Sequence, residues 1–409
     1  MKIAQTSFRE RAQQLGHSLE LLDMGLSVTS TTKVQDVDQL RDVTRIFNPN
    51  YGPALTEKLF GNIPLTDAET DGSAYGTLRR VNEFLYGDAP LAASDRKRVA
   101  PSFPIQMETT SAQAYTLTGP TIISPTQPAP WGNNQNIGVL TINDGAYLSV
   151  YQTAFNLITD GLVRIGSSGS TNLADINIFG ATGTYGGTGS GGSVGATGSV
   201  GTNSSCTVSG SEPGDAGGPG GTGGTGGTGG PGGPGGTGLP SYQATITING
   251  TVTVGNNPQI SIWTRSGTGG SGGVGGTGGQ GGTGGNGANG ANCECTGTNG
   301  GNAGNGGSGG TGGLGGNAGA ATNASGNIVV NVPSAYAGLF TSASFVAPPG
   351  NYGTGGGAGS GGVAGSAGSS GKHSDGGNGG SKGATGSIGN NGNASTQSGT
   401  PATISISPF

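Results

Sequence analysis

Apolar positions in this chain follow three successive rules. Phe8, Ala12, Leu15, Leu19 and Leu22 recur at near-helical spacing with Arg9, Glu10, Arg11 and Gln13 between them, which predicts an amphipathic helix ending near Gly25. Residues 27–34 alternate and are β-branched, the pattern of a short strand, and 36–47, 53–60 and 74–86 suit further helices. The acids between Asp67 and Asp71 read as a cap or loop. After Pro101 the period changes to two. Short strands are expected at 113–117, 138–142, 147–151, 161–165 and 174–179, with Asn143-Asp144-Gly145 as a hairpin signal and Pro120, Pro125, Pro128 and Pro130 marking a loop around Trp131.

From Gly180 onward the period is three. Glycine holds that register in six runs, 180–201, 214–238, 267–290, 297–319, 353–371 and 376–392, and substitutions by Ala288, Ala303, Ala318 and Ala358 keep it. A polyproline-II-type backbone has three residues per turn and rises about 3.1 Å per residue, so every third residue lines one edge. Glycine on that edge lets another backbone approach, and backbone N–H···O=C bonds can stand in for an apolar core. Collagen would need far more proline than Pro219, Pro231 and Pro234 supply, and a flexible linker would not hold the register. The reading is a bundle of polyglycine-II helices.

The connectors alternate in kind. Residues 239–266, 320–352 and 402–407 are strand-like, with a hairpin signal at Asn249-Gly250, whereas 202–213, 291–296 and 372–375 are short polar loops. With consecutive rods antiparallel, the strand-like connectors gather at one end and the short loops form a tip. The tip then holds Cys206, Cys293 and Cys295 together with His373 and Asp375. A disulfide from Cys206 to Cys293 or Cys295, a tetrahedral zinc site of the three cysteines and His373, and free thiols are all open readings.

Composition narrows the function. Of the 37 charged residues, 25 lie in the first hundred positions of the 409-residue chain. The net charge is −5, and the single basic cluster, Arg96-Lys97-Arg98, reads as a solvated linker, so no nucleic-acid partner is expected. The first residues carry charges where a secretory signal needs an apolar run, and no stretch approaches the roughly 20 apolar residues of a membrane span. No nucleophile motif is present, and His17 reads as a structural histidine on a helix face, so neither an enzyme nor a cofactor is expected. The fold class expected is multidomain: an α-rich N-terminal module (1–100), a small all-β middle domain (101–179), and a C-terminal bundle of about six antiparallel polyglycine-II helices with β-strand connectors at one end (180–409).

The glycine-rich runs and their loops resemble the distal adhesins of T-even-type phage long tail fibres, over 180–392 and at the level of architecture. The resemblance implies a virion protein, assembled in the host cytoplasm, anchored to other virion proteins through its N-terminal module within a multi-subunit assembly. It implies recognition of a host surface glycan or outer-membrane protein by tip residues, here Ser204, Ser205, Thr207, Asn292, Glu294, Lys372, His373 and Asp375. These loops contain no aromatic residue, so the contacts expected are polar. A capsid decoration protein without a receptor is the alternative. An ice-binding protein is a further one, since the runs also resemble glycine-rich antifreeze proteins and Thr222, Thr225 and Thr228 would align along one rod edge.

Overall fold

The computed structural model describes residues 6–61, 74–125, 132–206, 217–256, 259–294 and 296–409. Asp67–Asp71, the loop around Trp131, Thr207 and Cys295 lie outside them. The fold is α/β, built on two mostly parallel sheets. Sheet A has the order β1-β2-β4-β6-β8-β10-β12 and sheet B the order β11-β9-β7-β5-β3. The strands are β1 (Val28–Val34), β2 (Ile105–Leu117), β3 (Pro120–Ile123), β4 (Asn134–Ile142), β5 (Tyr147–Tyr151), β6 (Phe155–Arg164), β7 (Ile176–Phe179), β8 (Ala244–Val254), β9 (Ile260–Arg265), β10 (Ile328–Val332), β11 (Phe340–Phe345) and β12 (Ile404–Pro408). From β2 onward the chain alternates between sheets, and each strand lies parallel to the one two before it, so the path is a flattened coil. One core fills it: Leu148, Val150, Ile176, Ile178, Ile260 and Ile262 from sheet B face Ile137, Leu140, Phe155, Leu157, Ile246 and Ile328 from sheet A.

This overturns the multidomain expectation. Strands from the first hundred residues, the middle and the C-terminal half share the same two sheets, and no helix bundle forms the C-terminal half. Local signals misled because a parallel coil uses turn residues differently. Asn143-Asp144-Gly145 makes a turn, with Gly145 at φ 73°, but it joins β4 in sheet A to β5 in sheet B and closes no hairpin. Asn249-Gly250 lies inside β8, where two residues oppose Asp160 of β6 in a bulge. Glycine is needed there because a Cβ would strike the Asp160 carbonyl.

The N-terminal helices are α1 (Phe8–Gln14), α2 (Leu19–Asp23), α3 (Val37–Phe47), α4 (Pro53–Phe60), α5 (Ala74–Tyr86) and α6 (Ala93–Val99). The single first helix expected is two, because Gly16 at φ 73° ends α1 and Ser18 caps α2. Arg96, Lys97 and Arg98 sit in the last turn of α6 and form no linker; Arg96 pairs with Asp38. The helices roof sheet A. Arg11, fully buried, bonds Asn136 (2.8 Å) and Asp160 (2.7 Å), and Asn327 beside β10 bonds the Lys58 and Leu59 carbonyls.

His17 is buried under this roof, its ring nitrogens 2.7 Å from Ser111 Oγ and 2.8 Å from Ser30 Oγ. Burial holds the imidazole below its ordinary value. On acidification the unfolded chain therefore takes up this proton first, and the stability tied to neutral His17 is lost as pH falls below about 6.5. Urea midpoints between pH 7 and 5 should fall less steeply in His17→Gln than in the parent; equal slopes would exclude the effect.

The glycine runs leave the coil as excursions from sheet B to sheet A. Residues 180–243 join β7 to β8, 266–327 join β9 to β10, and 346–403 join β11 to β12. Each goes out as one extended segment and returns as another. The segments are neither α-helix nor sheet; they form a hydrogen-bonded slab. Consecutive segments are antiparallel: Gly221 N–H donates to the Ser199 carbonyl and Gly233 to Gly187, each at 2.7 Å. Alternate segments are parallel: Gly186 donates to Ser271 and Gly272 to Asn351, each at 2.8 Å. The first, third and fifth segments thus form one layer, and the second, fourth and sixth the other. The donors recur every third residue, the repeat of polyproline-II backbone. The same bond spaces β-strands by about 4.7–4.9 Å, so segments leaving β7, β9 and β11 stack at the pitch of those strands.

Glycine content per triplet follows the number of neighbours. The first and sixth segments bond to two others and carry one regular glycine per triplet; the inner ones bond to three or four and mostly carry two. In the first segment, the position after each regular glycine holds Ala181, Thr184, Gly187, Ser190, Ser193, Ala196, Ser199 or Thr202, all but Ala181 exposed. The hydroxyls of Thr184, Ser190, Ser193 and Ser199 lie over Gly236, Gly230, Gly227 and Gly221 of the second segment and fill the space a Cβ there would need.

Candidate functional site

At the far end of the slab the three loops come together. Cys206 and Cys293 form a disulfide, with a Cα–Cα distance of 5.7 Å, which ties the first loop to the second. It consumes two of the thiolates the zinc reading required. Ser204 Oγ donates to the Asn289 carbonyl (2.7 Å) across the same pair of loops. The third loop is tied to the second: Lys372 N–H donates to Asn292 Oδ1 at 2.7 Å, and Gly297 N–H donates to the Lys372 carbonyl. Asp375 N–H donates to Asn299 Oδ1 (2.9 Å). His373 turns the chain at φ 57°, in the left-handed region that non-glycine residues seldom adopt. Its side chain is exposed, as are those of Ser205, Glu294, Lys372 and Asp375.

Asparagine organises this end. Asn286, Asn289 and Asn292 of the third segment and its loop each accept a backbone N–H from the fifth segment or its loop, at 2.7–2.9 Å. Asn299, Asn302 and Asn305 do the same for the sixth, and Asn317 repeats the contact at the base end of the fourth segment. Each Asn sits at the non-glycine position of its triplet, so the sequence carried this signal, though not its target.

No family model matches this chain. Neither a curated protein nor a solved structure gives a significant match. The site must therefore be read from its own chemistry.

Charge distinguishes the tip from the slab. Among described residues beyond Gly180, the charged ones are Arg265 in β9, Lys382 on the sixth segment, and Glu294, Lys372 and Asp375 at the tip. Apart from Lys382, the two slab faces between base and tip carry uncharged side chains, mostly Thr, Ser, Asn, Ala, Val, Pro and Gln, with Tyr185, Leu314 and Ile388 exposed among them. Among the described residues no cluster of three or more His, Cys, Asp or Glu could hold a metal ion, and no helix is long and apolar enough to cross a membrane.

At the opposite end, Leu21, Met24 and Leu26 are exposed together on and just after α2. Exposed apolar side chains grouped in this way mark contact surfaces. The aromatic residues expected of a recognition surface are absent from the described tip and lie instead where sheet B meets the slab: Tyr151, Phe179, Trp263 and Phe345. Each stands at or near the end of its strand, a position the sequence displayed but whose alignment only the sheet register reveals.

Proposed function

We propose that the chain is a virion attachment protein that holds a stapled polar tip away from an anchored base. The observation that carries the reading is the segregation of chemistry: a hydrogen-bonded slab, whose one charged side chain among the described residues is Lys382, separates a charged tip from the charged base. At about 3.1 Å per residue, segments of some 22 residues set that separation at roughly 65–70 Å. Three further features support it. The tip loops are fixed to one another, which lowers the ordering cost of binding. The disulfide suits a protein that works outside a reducing cytoplasm, as a released virion does. The apolar group at Leu21, Met24 and Leu26 suits docking of the N-terminal part onto other virion proteins.

In this reading Glu294, Lys372, His373 and Asp375 meet a polar host surface group, on a glycan or an outer-membrane protein. Particles carrying Glu294→Gln, Lys372→Gln and Asp375→Asn together should adsorb to host cells at least tenfold more slowly, with an unchanged melting temperature. Adsorption at the parental rate would make the protein a decoration of the particle.

A further inference from the structure

Sheet A lies under the N-terminal helices, whereas the outer face of sheet B keeps exposed apolar side chains, including Ile122 (40%) and Phe345 (41%). Tyr151, Phe179, Arg265 and Phe345 occupy one register row across β5, β7, β9 and β11, on the side away from the core. The rings form two pairs, one on each side of Arg265. Tyr151 and Phe179 meet edge to face at 5.9 Å, the Arg265 guanidinium lies 5.6 Å from the Phe179 centroid, and Trp263 meets Phe345 at 5.1 Å. Arg265 is exposed and, among the described residues, forms no ion pair. Burial and the nearby Tyr147 raise the Tyr151 phenol above its ordinary value while Arg265 opposes them, so the phenol stays a neutral hydrogen-bond donor.

We propose that this row binds a carboxylate-bearing sugar of an acidic glycan. The Arg265 guanidinium takes the carboxylate in the two-pronged geometry that suits it. The rings of Trp263 and Phe345 take the apolar C–H face of the pyranose. Two arguments select a glycan over a protein partner. A stable protein interface needs about 800 Å² on each side with an apolar centre, but this set is two residues deep, with Trp263 and Ala343 behind Arg265 and Phe345, and is then bordered on the same face by Ser261 and Thr341. Beyond it begins the neutral slab face, where Thr182 and Thr268 already pair their hydroxyls at 2.8 Å, a surface suited to further sugar hydroxyls. The site is remote from the tip and stands independently of the tip's role.

The experiment uses the chain's own fluorophore. The protein has two tryptophans, Trp131 and Trp263, so Trp131→Phe leaves one reporter inside the site. Oligosaccharides containing glucuronate, galacturonate or sialate are titrated against this full-length variant, with neutral glucose and galactose oligomers in parallel. The expected result is a saturable emission change with at least one acidic probe, at least tenfold weaker with its neutral counterpart. Arg265→Gln should weaken binding at least tenfold, and Arg265→Lys should restore it only in part. No saturable change with any acidic probe would overturn the proposal, as would equal affinity for neutral probes or full binding by a folded Arg265→Gln. If Arg265→Gln fails to fold, the acidic-against-neutral comparison on the parental surface decides alone.

Discussion

Gly276→Val should unfold the slab. Gly276 lies in the third segment, where its N–H donates to the Gly230 carbonyl at 2.8 Å and its carbonyl accepts from Gly313. A Cβ there would fall less than 3.0 Å from the Ser190 carbonyl oxygen of the first segment, a separation real Cβ atoms essentially never show. The obstacle is backbone on both sides, so no side chain can swing away. Segments one and three would have to part, and their register of bonds from Gly180 to Gly201 would be strained along its length. The expected cost exceeds about 4 kcal/mol, the range reserved for core disruption. Gly187→Val is the control, since a Cβ at Gly187 meets nothing within 4 Å; it should change stability by no more than about 0.5 kcal/mol. Urea or thermal denaturation of both variants reads the difference. If Gly276→Val melts with the parent, the close packing of the slab is wrong.

The second large effect is expected at the tip. Cys206→Ser removes a cross-link between residues 87 apart in sequence. Closing a loop of that size in the unfolded chain is worth up to about 4.6 kcal/mol in the chain-entropy picture, and measured values for native disulfides run from about 2 to 5 kcal/mol. The loss should appear as a lower denaturation midpoint in Cys206→Ser and Cys293→Ser alike, and as the same shift in the parent on adding a thiol reductant. The two serine variants should then no longer respond to reductant. A parental midpoint that ignores reductant while the serine variants are destabilised would place the effect in packing and not in the bond.

The unequal legibility of the regions has physical causes. Helices α4 and α5 were readable to the residue because capping and amphipathic spacing are local: Pro53 opens α4, and Val81, Phe84 and Leu85 bury one face of α5. Strand positions in the middle were readable for the same reason, although β2, β4 and β6 begin earlier than alternation suggests. Asn134, Asn136 and Asn156 are polar yet buried: Asn134 bonds the Glu108 carbonyl, Asn136 the Phe8 carbonyl, and Asn156 both Asn134 and Thr245. A polar residue that finds its partner 89 positions away looks like a loop residue in the sequence. The tip cysteines could be grouped from run topology, but which bond forms required coordinates. The aromatic row of sheet B was invisible, because its members are spread over nearly 200 residues and align only through a parallel register.

The sequence by itself determined the period of three and the places where it breaks. It also carried much of each segment's neighbour number: the two edge runs hold one regular glycine per triplet and the second, third and fourth mostly hold two, while the fifth uses Ala or Ser at several second positions. Those features are local because a Cβ is excluded by whatever lies beside that one residue. Only the tertiary structure decided that the chain is one α/β coil instead of separate modules. That outcome depends on strands such as β6, β8, β10 and β12 pairing across intervals of 76 to 90 residues, and on helices closing over them. The glycine excursions keep those distant strands in register: each returns the chain beside the strand it left, one strand spacing further on, and no pattern within any single strand records that distance.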